Sequence, residues 1–220
     1  MKLTLDAVKS DPAVRAYIAA ADESLRELGY TEHGFVHLGI VAENAARVLK
    51  ELGYPQREAE LASVAGFMHD IGNVVNRSGH EQSGALMAFF LLTQMGAEAE
   101  EVAAVVAAIG NHDELTAFPV SDVAAAVMIA DKTDVRHTRV RDQETIAADI
   151  HDRVNFAVRQ SSVTVLPEAR EIRLDLTIDT AIAPISEYFE IFLTRMLLCR
   201  KAAARLGCSF TMHFNGHRMM

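Results

Sequence analysis

Six apolar segments of helical length follow one another between residues 12 and 137, separated by short polar or glycine-containing breaks. In the second segment, Val41, Ala45 and Val48 recur at the three- and four-residue spacing of one helix face. Helices joined by short connections pack beside their neighbours in the chain. This succession therefore predicts a mainly α protein built on a helical bundle.

The hydrophobic pattern changes after Arg141. Residues 142–159 are compatible with one more helix, whereas residues 163–166 and 171–178 alternate apolar and polar side chains as strands do. Residues 209–214 alternate in the same way and predict a third strand. The last third of the chain is therefore expected to contain both helices and strands.

A long helix is predicted between the second and third of these strands. Pro184 starts it, and Gly207 ends it just after Leu206. We expect this helix to pack on a small antiparallel sheet. The predicted organisation is a helical domain of residues 1–141 and an α+β appendage of residues 142–220 that packs on the bundle.

Composition restricts the partners and the compartment. The 220-residue chain has a formal net charge of −9, which argues against binding to a nucleic-acid polymer. Its longest apolar runs, residues 102–109 and 123–130, are far shorter than the ~20 residues that cross a bilayer. The two cysteines, Cys199 and Cys208, fit a reducing compartment, and the N-terminus lacks the apolar region of a signal peptide. We therefore expect a cytoplasmic protein without membrane partners.

Six polar residues interrupt the apolar helices at their ends or on their buried faces. Asp131 is the most informative of them, because a carboxylate after a long apolar stretch requires a cation or strong hydrogen-bond donors. Imidazole and carboxylate ligands suit Mn, Fe, Co, Ni, Zn or Mg rather than an ion that prefers thiolates. We predict that one or two divalent ions bind to this set, which comprises His37, His69, Asp70, His80, His112 and Asp131.

The order of these residues resembles the HD-domain superfamily of metal-dependent phosphohydrolases. His37, the dipeptide His69-Asp70 and Asp131 follow one another as they do in that superfamily. His80 and His112 resemble the two additional histidines of its binuclear members. The similarity covers roughly residues 30 to 140, and residues 130–136 resemble an uncharacterised branch of the superfamily.

The resemblance implies two neighbouring metal sites. The first would be held by His37, His69, Asp70 and Asp131. The second would be held by Asp70, His80 and His112, the three candidate catalytic residues, with Asp70 bridging both ions. A metal-activated hydroxide would then attack phosphorus in line. The implied substrate is a small phosphorylated molecule such as a nucleotide.

Four cations are candidates for binding the substrate phosphate. Lys132, Arg136 and Arg139 follow Asp131 at a spacing that places them on one face of the predicted helix, and Arg77 lies in the loop before His80. A solvated helix face, or ion pairs with neighbouring carboxylates, is the alternative interpretation of the first three.

Two departures separate this chain from the superfamily members that hydrolyse cyclic-di-GMP. The tripeptide Gly53-Tyr54-Pro55 lies upstream of His69-Asp70, and Asn111-His112 stands where those enzymes carry two histidines. His33 occupies a position at which some of them carry a glutamate that helps to bind a third metal. We therefore do not expect cyclic-di-GMP hydrolysis.

Three functions stay open at this stage. A phosphatase or phosphodiesterase would lose its activity on chelation. A di-iron oxygenase of the same superfamily would contain iron and consume oxygen. A non-enzymatic nucleotide- or partner-binding module would hold a structural metal without turnover. We also expect a homodimer, formed through the sheet edge or the helix over residues 185–198.

Overall fold

The computed structural model describes residues 2–142, 144 and 146–220, and is mainly α-helical. Short 3-10 helices cover Ile71–Val74 and His137–Arg139. The α-helices of the described residues are α1 (Leu5–Ser10), α2 (Pro12–Glu27), α3 (Phe35–Glu51), α4 (Gln56–Met68), α5 (His80–Gln94), α6 (Ala99–Gly110), α7 (Asp122–Lys132), α8 (Ile150–Ala157) and α9 (Ile185–Arg205). The strands are β1 (Val158–Leu166), β2 (Glu171–Ile178), β3 (Ser209–Phe214) and β4 (His217–Arg218).

Polar side chains start several helices where the sequence predicts a start. The Asp11 carboxylate accepts hydrogen bonds from the first backbone N–H groups of α2, and Pro12 is the first helical residue. The Ser121 hydroxyl accepts from the N–H of Ala124 in the same way and caps α7. The predicted succession of helices up to residue 132 is thus confirmed, with α1 as an additional short helix.

Two helices at the centre of the bundle are buried on nearly all sides. In α4 every residue from Leu61 to Met68 is buried, and in α7 the same is true of residues 123–130. Gly66 permits the close packing of α4 on α3, because a Cβ atom there would lie 3.1 Å from the Ala42 backbone. The polar residues at the C-terminal ends of α4 and α7 are therefore held in the protein interior.

Helix α7 ends earlier than its apolar pattern predicts. The hydroxyl of Thr133 donates to the carbonyl oxygen of Ile129 at 2.6 Å, and Arg136 has an extended backbone. Lys132, Arg136 and Arg139 therefore do not share one helix face, and the prediction of a helix to about His137 is wrong. The segment after this turn is a short 3-10 helix.

The helix predicted over residues 142–159 is also shorter in the structure. It is limited to α8, which Asp149 caps by accepting from the N–H groups of His151 and Asp152. Residues 158 and 159 already belong to β1. Residues 143 and 145 of this prediction lie outside the described residues.

The sheet is mixed rather than antiparallel as predicted. Its order is β1-β2-β3-β4, and β2 forms the predicted antiparallel hairpin with β1. Strands β2 and β3 are parallel, because α9 lies between them and returns the chain to the same end of the sheet. Alternation within a strand carries no information about the direction of its neighbour, which explains the wrong prediction.

Helix α9 connects this sheet with the bundle. It packs against α7 on one side and against β3 on another, and it buries Tyr188, Phe192 and Met196. The buried apolar residues form one continuous cluster across the bundle and the sheet. The domain boundary and the homodimer stay predictions. No helix among the described residues combines the length and apolar composition needed to span a bilayer.

Candidate metal centre

Asp70 stands between two pairs of histidines. It follows the buried end of α4, and its Oδ2 lies 3.2 Å from His69 Nε2 and 3.8 Å from His37 Nε2. Its other oxygen, Oδ1, lies 3.2 Å from His80 Nε2 and 3.8 Å from His112 Nε2. One carboxylate therefore presents a separate oxygen to each histidine pair.

Asp131, near the end of α7, lies beside the first pair, His37 and His69. Its Oδ1 lies 3.5 Å from both His37 Nε2 and His69 Nε2. Within the second pair, the Nε2 atoms of His80 and His112 are 3.1 Å apart. The structure thus brings all six predicted ligand residues together in groups whose donor atoms lie within 4.8 Å of one another.

Three of the histidines are anchored in the same way. In each, Nδ1 lies within hydrogen-bonding distance of the carbonyl oxygen three residues earlier, so the Nδ1–H group donates there and Nε2 is the ring nitrogen that faces the centre. A helix end or tight turn supplies that carbonyl. The pairs are His69 with Gly66 (2.8 Å), His80 with Arg77 (3.0 Å) and His112 with Ile109 (2.6 Å).

His37 is anchored by a carboxylate instead. Its Nδ1 lies 2.7 Å from Asp134 Oδ2, and Asp134 is itself bound by Arg136 Nε at 3.0 Å. Burial would raise the pKa of Asp134, but the His37 hydrogen bond, Arg139 and Arg136 hold it well below its ordinary value. Asp134 is therefore an ionised acceptor that orients the His37 ring.

The donor set fits a divalent cation. The Nε2 atoms of His37 and His69 are buried, and neither forms a hydrogen bond of suitable geometry within the described part of the chain. Burial would lower the pKa of His69, yet the Asp70 and Asp131 carboxylates raise it to about 10. The centre therefore favours positive charge, which a metal ion held by lone pairs of nitrogen and oxygen would provide.

The four predicted phosphate-binding cations differ in their surroundings. Arg77 Nη1 lies 3.3 Å from His80 Nε2 and 3.9 Å from Asp70 Oδ1. Lys132 Nζ lies 2.6 Å from Asp131 Oδ2, beside the centre. Arg139 borders the same small space as Asp70, His80 and His112, although it donates to backbone carbonyl oxygens. The structure does not bring Arg136 there, because its guanidinium binds Asp134 and Glu32.

Residues 34–136 match the sequence model of the HD domain family. This segment is an HD domain. The matched range contains all six residues of the centre, and the family is of the metal-dependent hydrolase type, whose domains bind divalent ions. The HD domain thus accounts for the clustered histidines and carboxylates.

A known protein and a solved structure are each similar to part of this chain. An uncharacterised protein of Methanocaldococcus jannaschii is 26% identical over an alignment of 162 residues, and the match covers 64% of this chain and 62% of that protein. The chain therefore spans less than two thirds of that relative's length. The crystal structure of a predicted HD superfamily hydrolase from an uncultured Thermotogales bacterium is 25% identical, covers 60% of this chain and 73% of that chain, and has a TM-score of 0.44.

A cavity of about 360 Å³ opens beside the metal centre of the HD domain. Its wall includes Tyr30 and His33 before α3, His151 and Asn155 of α8, and Arg195 of α9. A smaller space of about 20 Å³ lies at the centre itself, bounded by the second histidine pair and by the surrounding cations. Much of the outer wall therefore comes from residues beyond the matched HD domain.

Two residues beside the candidate metal centre were not predicted from the sequence. Arg195 lies on α9, far along the chain from the clustered ligands, and no local pattern around it indicates a site. Glu114 follows His112 by two residues, and its carboxylate binds both Lys132 and Arg195. A carboxylate so close to a predicted ligand at a helix end is a signal that could have found Glu114.

Replacing Asp134 with asparagine is expected to weaken metal binding by about 10- to 100-fold, because the ring of His37 loses its charged anchor. Competition with a chromophoric chelator measures the affinity. Asp175, which pairs with Arg173 on the sheet at 2.9 Å, offers a matched control in Asp175→Asn. Equal metal affinity in both variants would contradict this role of Asp134.

Proposed function

We propose that this protein is a metal-dependent phosphohydrolase that acts on a small phosphorylated molecule. The observation that carries the proposal is the shared carboxylate of Asp70, whose two oxygens face the Nε2 atoms of two histidine pairs. This arrangement supports a binuclear centre in which one carboxylate bridges two ions.

On the distances between their donor atoms, we assign the six residues to two ions. His37, His69, Asp70 and Asp131 would hold one ion, and Asp70, His80 and His112 would hold the other. Bound divalent ions would supply Lewis acidity towards a phosphoryl oxygen and would lower the pKa of a water molecule. The carboxylates and imidazoles of the chain would hold both ions in a buried environment, where electrostatic interactions are strong.

The surrounding cations have different tasks. Lys132 is buried and binds both Asp131 and Glu114, so it orients the Asp131 carboxylate and offsets its charge. Arg139 is buried and donates to the carbonyl oxygens of Glu32 and Asp134. Arg77 is less enclosed, and among the described residues it bonds through Nη1, so its Nε and Nη2 donors are available for a phosphoryl group.

The cavity is consistent with a substrate larger than phosphate itself. Its volume of about 360 Å³ falls within the range of ~300–1,000 Å³ typical of small-molecule sites. The outer wall contains the ring of Tyr30 and the polar side chains of His151 and Asn155. A nucleotide or another polar phosphate ester fits this combination of a cationic inner end and a polar outer wall.

Metal analysis combined with a phosphoester panel tests the proposal. Protein purified without a histidine tag is expected to contain about two metal equivalents. It is also expected to hydrolyse at least one phosphomonoester or phosphodiester. Chelation should abolish turnover, and Mn, Co, Ni or Zn should restore it. Metal-loaded protein without turnover on the panel would contradict the proposal, and iron together with oxygen consumption would favour the oxygenase.

A further inference from the structure

One arginine reaches the metal cavity from outside the matched HD domain. Arg195 lies in the middle of α9, in the part of the chain that also forms the sheet. It lines the small space that Asp70, His80 and His112 also line, and it lines the larger cavity as well. Arg195 therefore stands where a substrate would pass from the outer cavity to the metal centre.

Two contacts hold the guanidinium of Arg195 in place. Its Nε donates to Glu114 Oε1 at 3.1 Å, and its Cζ lies 4.9 Å from the centre of the Phe192 ring. The other oxygen of Glu114, Oε2, lies 3.0 Å from Lys132 Nζ, so two cations fix this carboxylate. Arg195 is thus oriented before any ligand binds.

The terminal nitrogens of Arg195 are the donors that this arrangement leaves available. No acceptor among the described residues forms a hydrogen bond with Nη1 or Nη2. By contrast, Lys132 donates to the carboxylates of Asp131 and Glu114. Arg139 donates to a backbone carbonyl oxygen. Arg77 and Arg195 are therefore the two cations of the small space best equipped to bind an anion.

We infer that Arg195 binds the phosphoryl group of the substrate, with Glu114 as the residue that positions it. The inference rests on the proposed function and assigns part of the substrate site to the C-terminal segment. A guanidinium with two adjacent N–H donors matches two oxygens of a phosphate, and such charge-assisted pairs are strong. Glu114 acts through Arg195 and does not itself touch the substrate.

Binding of inorganic phosphate to the metal-loaded protein tests this role without depending on turnover. Isothermal titration calorimetry is expected to give about 10- to 100-fold weaker phosphate binding for Arg195→Ala, as expected for one charge-assisted hydrogen-bonded contact. Arg195→Lys should recover part of the loss, because it restores the charge but not the bidentate geometry. Arg205 lies on the same helix and pairs with Asp122 at 2.8 Å, so Arg205→Ala is the matched control.

Metal content separates substrate binding from an indirect effect. Arg195 contacts Glu114, which contacts Lys132 and hence Asp131, so a purely structural role would disturb the metal centre. We expect Arg195→Ala to retain the metal content and the melting temperature of the parent. Unchanged phosphate affinity, or a loss of metal that matches the loss of phosphate binding, would overturn the inference.

Phosphate binding and phosphoesterase activity, measured together, distinguish a failure of the inference from a failure of the proposed function. Phosphate binding that depends on Arg195, in a parent protein without phosphoesterase activity, would reject the function and retain the site. Phosphoesterase activity whose KM is the same in the parent and in Arg195→Ala would retain the function and reject the site. With both correct, the KM of the variant should rise by more than its kcat falls.

Discussion

Substitution of Asp70 with alanine is expected to remove both metal ions and to lower turnover by at least about 10³-fold. The two oxygens of this carboxylate face different histidine pairs, at 3.2 Å from His69 Nε2 and 3.2 Å from His80 Nε2. Asp131, the other carboxylate of this set, lies 3.5 Å from both histidines of the first pair and within 4.8 Å of His112 in the second. Elemental analysis and phosphoesterase rates, measured on the same preparation, check this prediction.

Single-site variants make the test of Asp70 specific. Asp131→Ala should remove the first ion, and His112→Ala should remove the second, so each should retain about one equivalent. Asp179, which pairs with Arg159 at the surface, provides a control in Asp179→Ala that should keep both ions. Two equivalents or undiminished turnover in Asp70→Ala would refute the bridging role of Asp70.

Substitution of Gly72 with alanine is expected to destabilise the fold by about 3 kcal/mol and to release the second metal ion. A Cβ atom at this position would overlap the carbonyl oxygen of His80 and the backbone nitrogen of Gly84, and it would lie 2.7 Å from Ser83 Oγ. Two of these atoms belong to the backbone of α5 and cannot rotate away. The first turn of α5, which carries His80, would therefore have to move.

Gly39 provides a matched control for Gly72. It lies within α3, and a Cβ atom there would meet no heavy atom within 4 Å. Gly39→Ala should therefore stabilise the protein by about 0.5–1 kcal/mol through helix propensity alone. Urea unfolding of the metal-free variants gives the free energies of unfolding, and metal content reports the position of His80. Equal stability of Gly72→Ala and the parent would contradict the close packing.

The contacts of Gly72 give it a role that the sequence His69-Asp70-Ile71-Gly72 does not reveal. A glycine just after a helix commonly lets the chain turn sharply. In the structure the turn is a short 3-10 helix, and Gly72 is not among the residues with positive φ. A glycine is required at position 72 because the backbone of α5 packs directly on this residue.

The C-terminal segment contributes a side chain to the space at the metal centre. Helix α9 packs on α7, which carries Asp131, and it brings Arg195 to the cavity. The buried Phe192 supports the guanidinium from the same helix. If the site assigned here is correct, differences in this segment would alter substrate selection while the metal ligands of the HD domain stay the same.

Local pattern was sufficient for most of the bundle and for the six clustered histidines and aspartates. Asp11-Pro12 and Ser121-Asp122 indicate helix starts, because Asp11 and Ser121 cap their helices through short-range hydrogen bonds. Apolar residues at helical spacing identify the buried helix faces. Burying a histidine or carboxylate on such a face costs free energy unless it has a partner. The sequence therefore identified His37 and Asp131 as candidate site residues. The amino-acid sequence by itself determined the helical fold class and the six clustered residues.

Tertiary structure alone decided the features that depend on contacts between distant segments. The early end of α7 at Thr133, the parallel pairing of β2 with β3 and the anchoring of His37 by Asp134 all fall in this class. So does the meeting of Arg195 with Glu114 beside the centre. Periodicity reports which face of one segment is apolar, but it carries no information about which distant segment covers that face. The sequence therefore did not indicate which residues form the wall of the cavity, whereas it did indicate the six clustered residues.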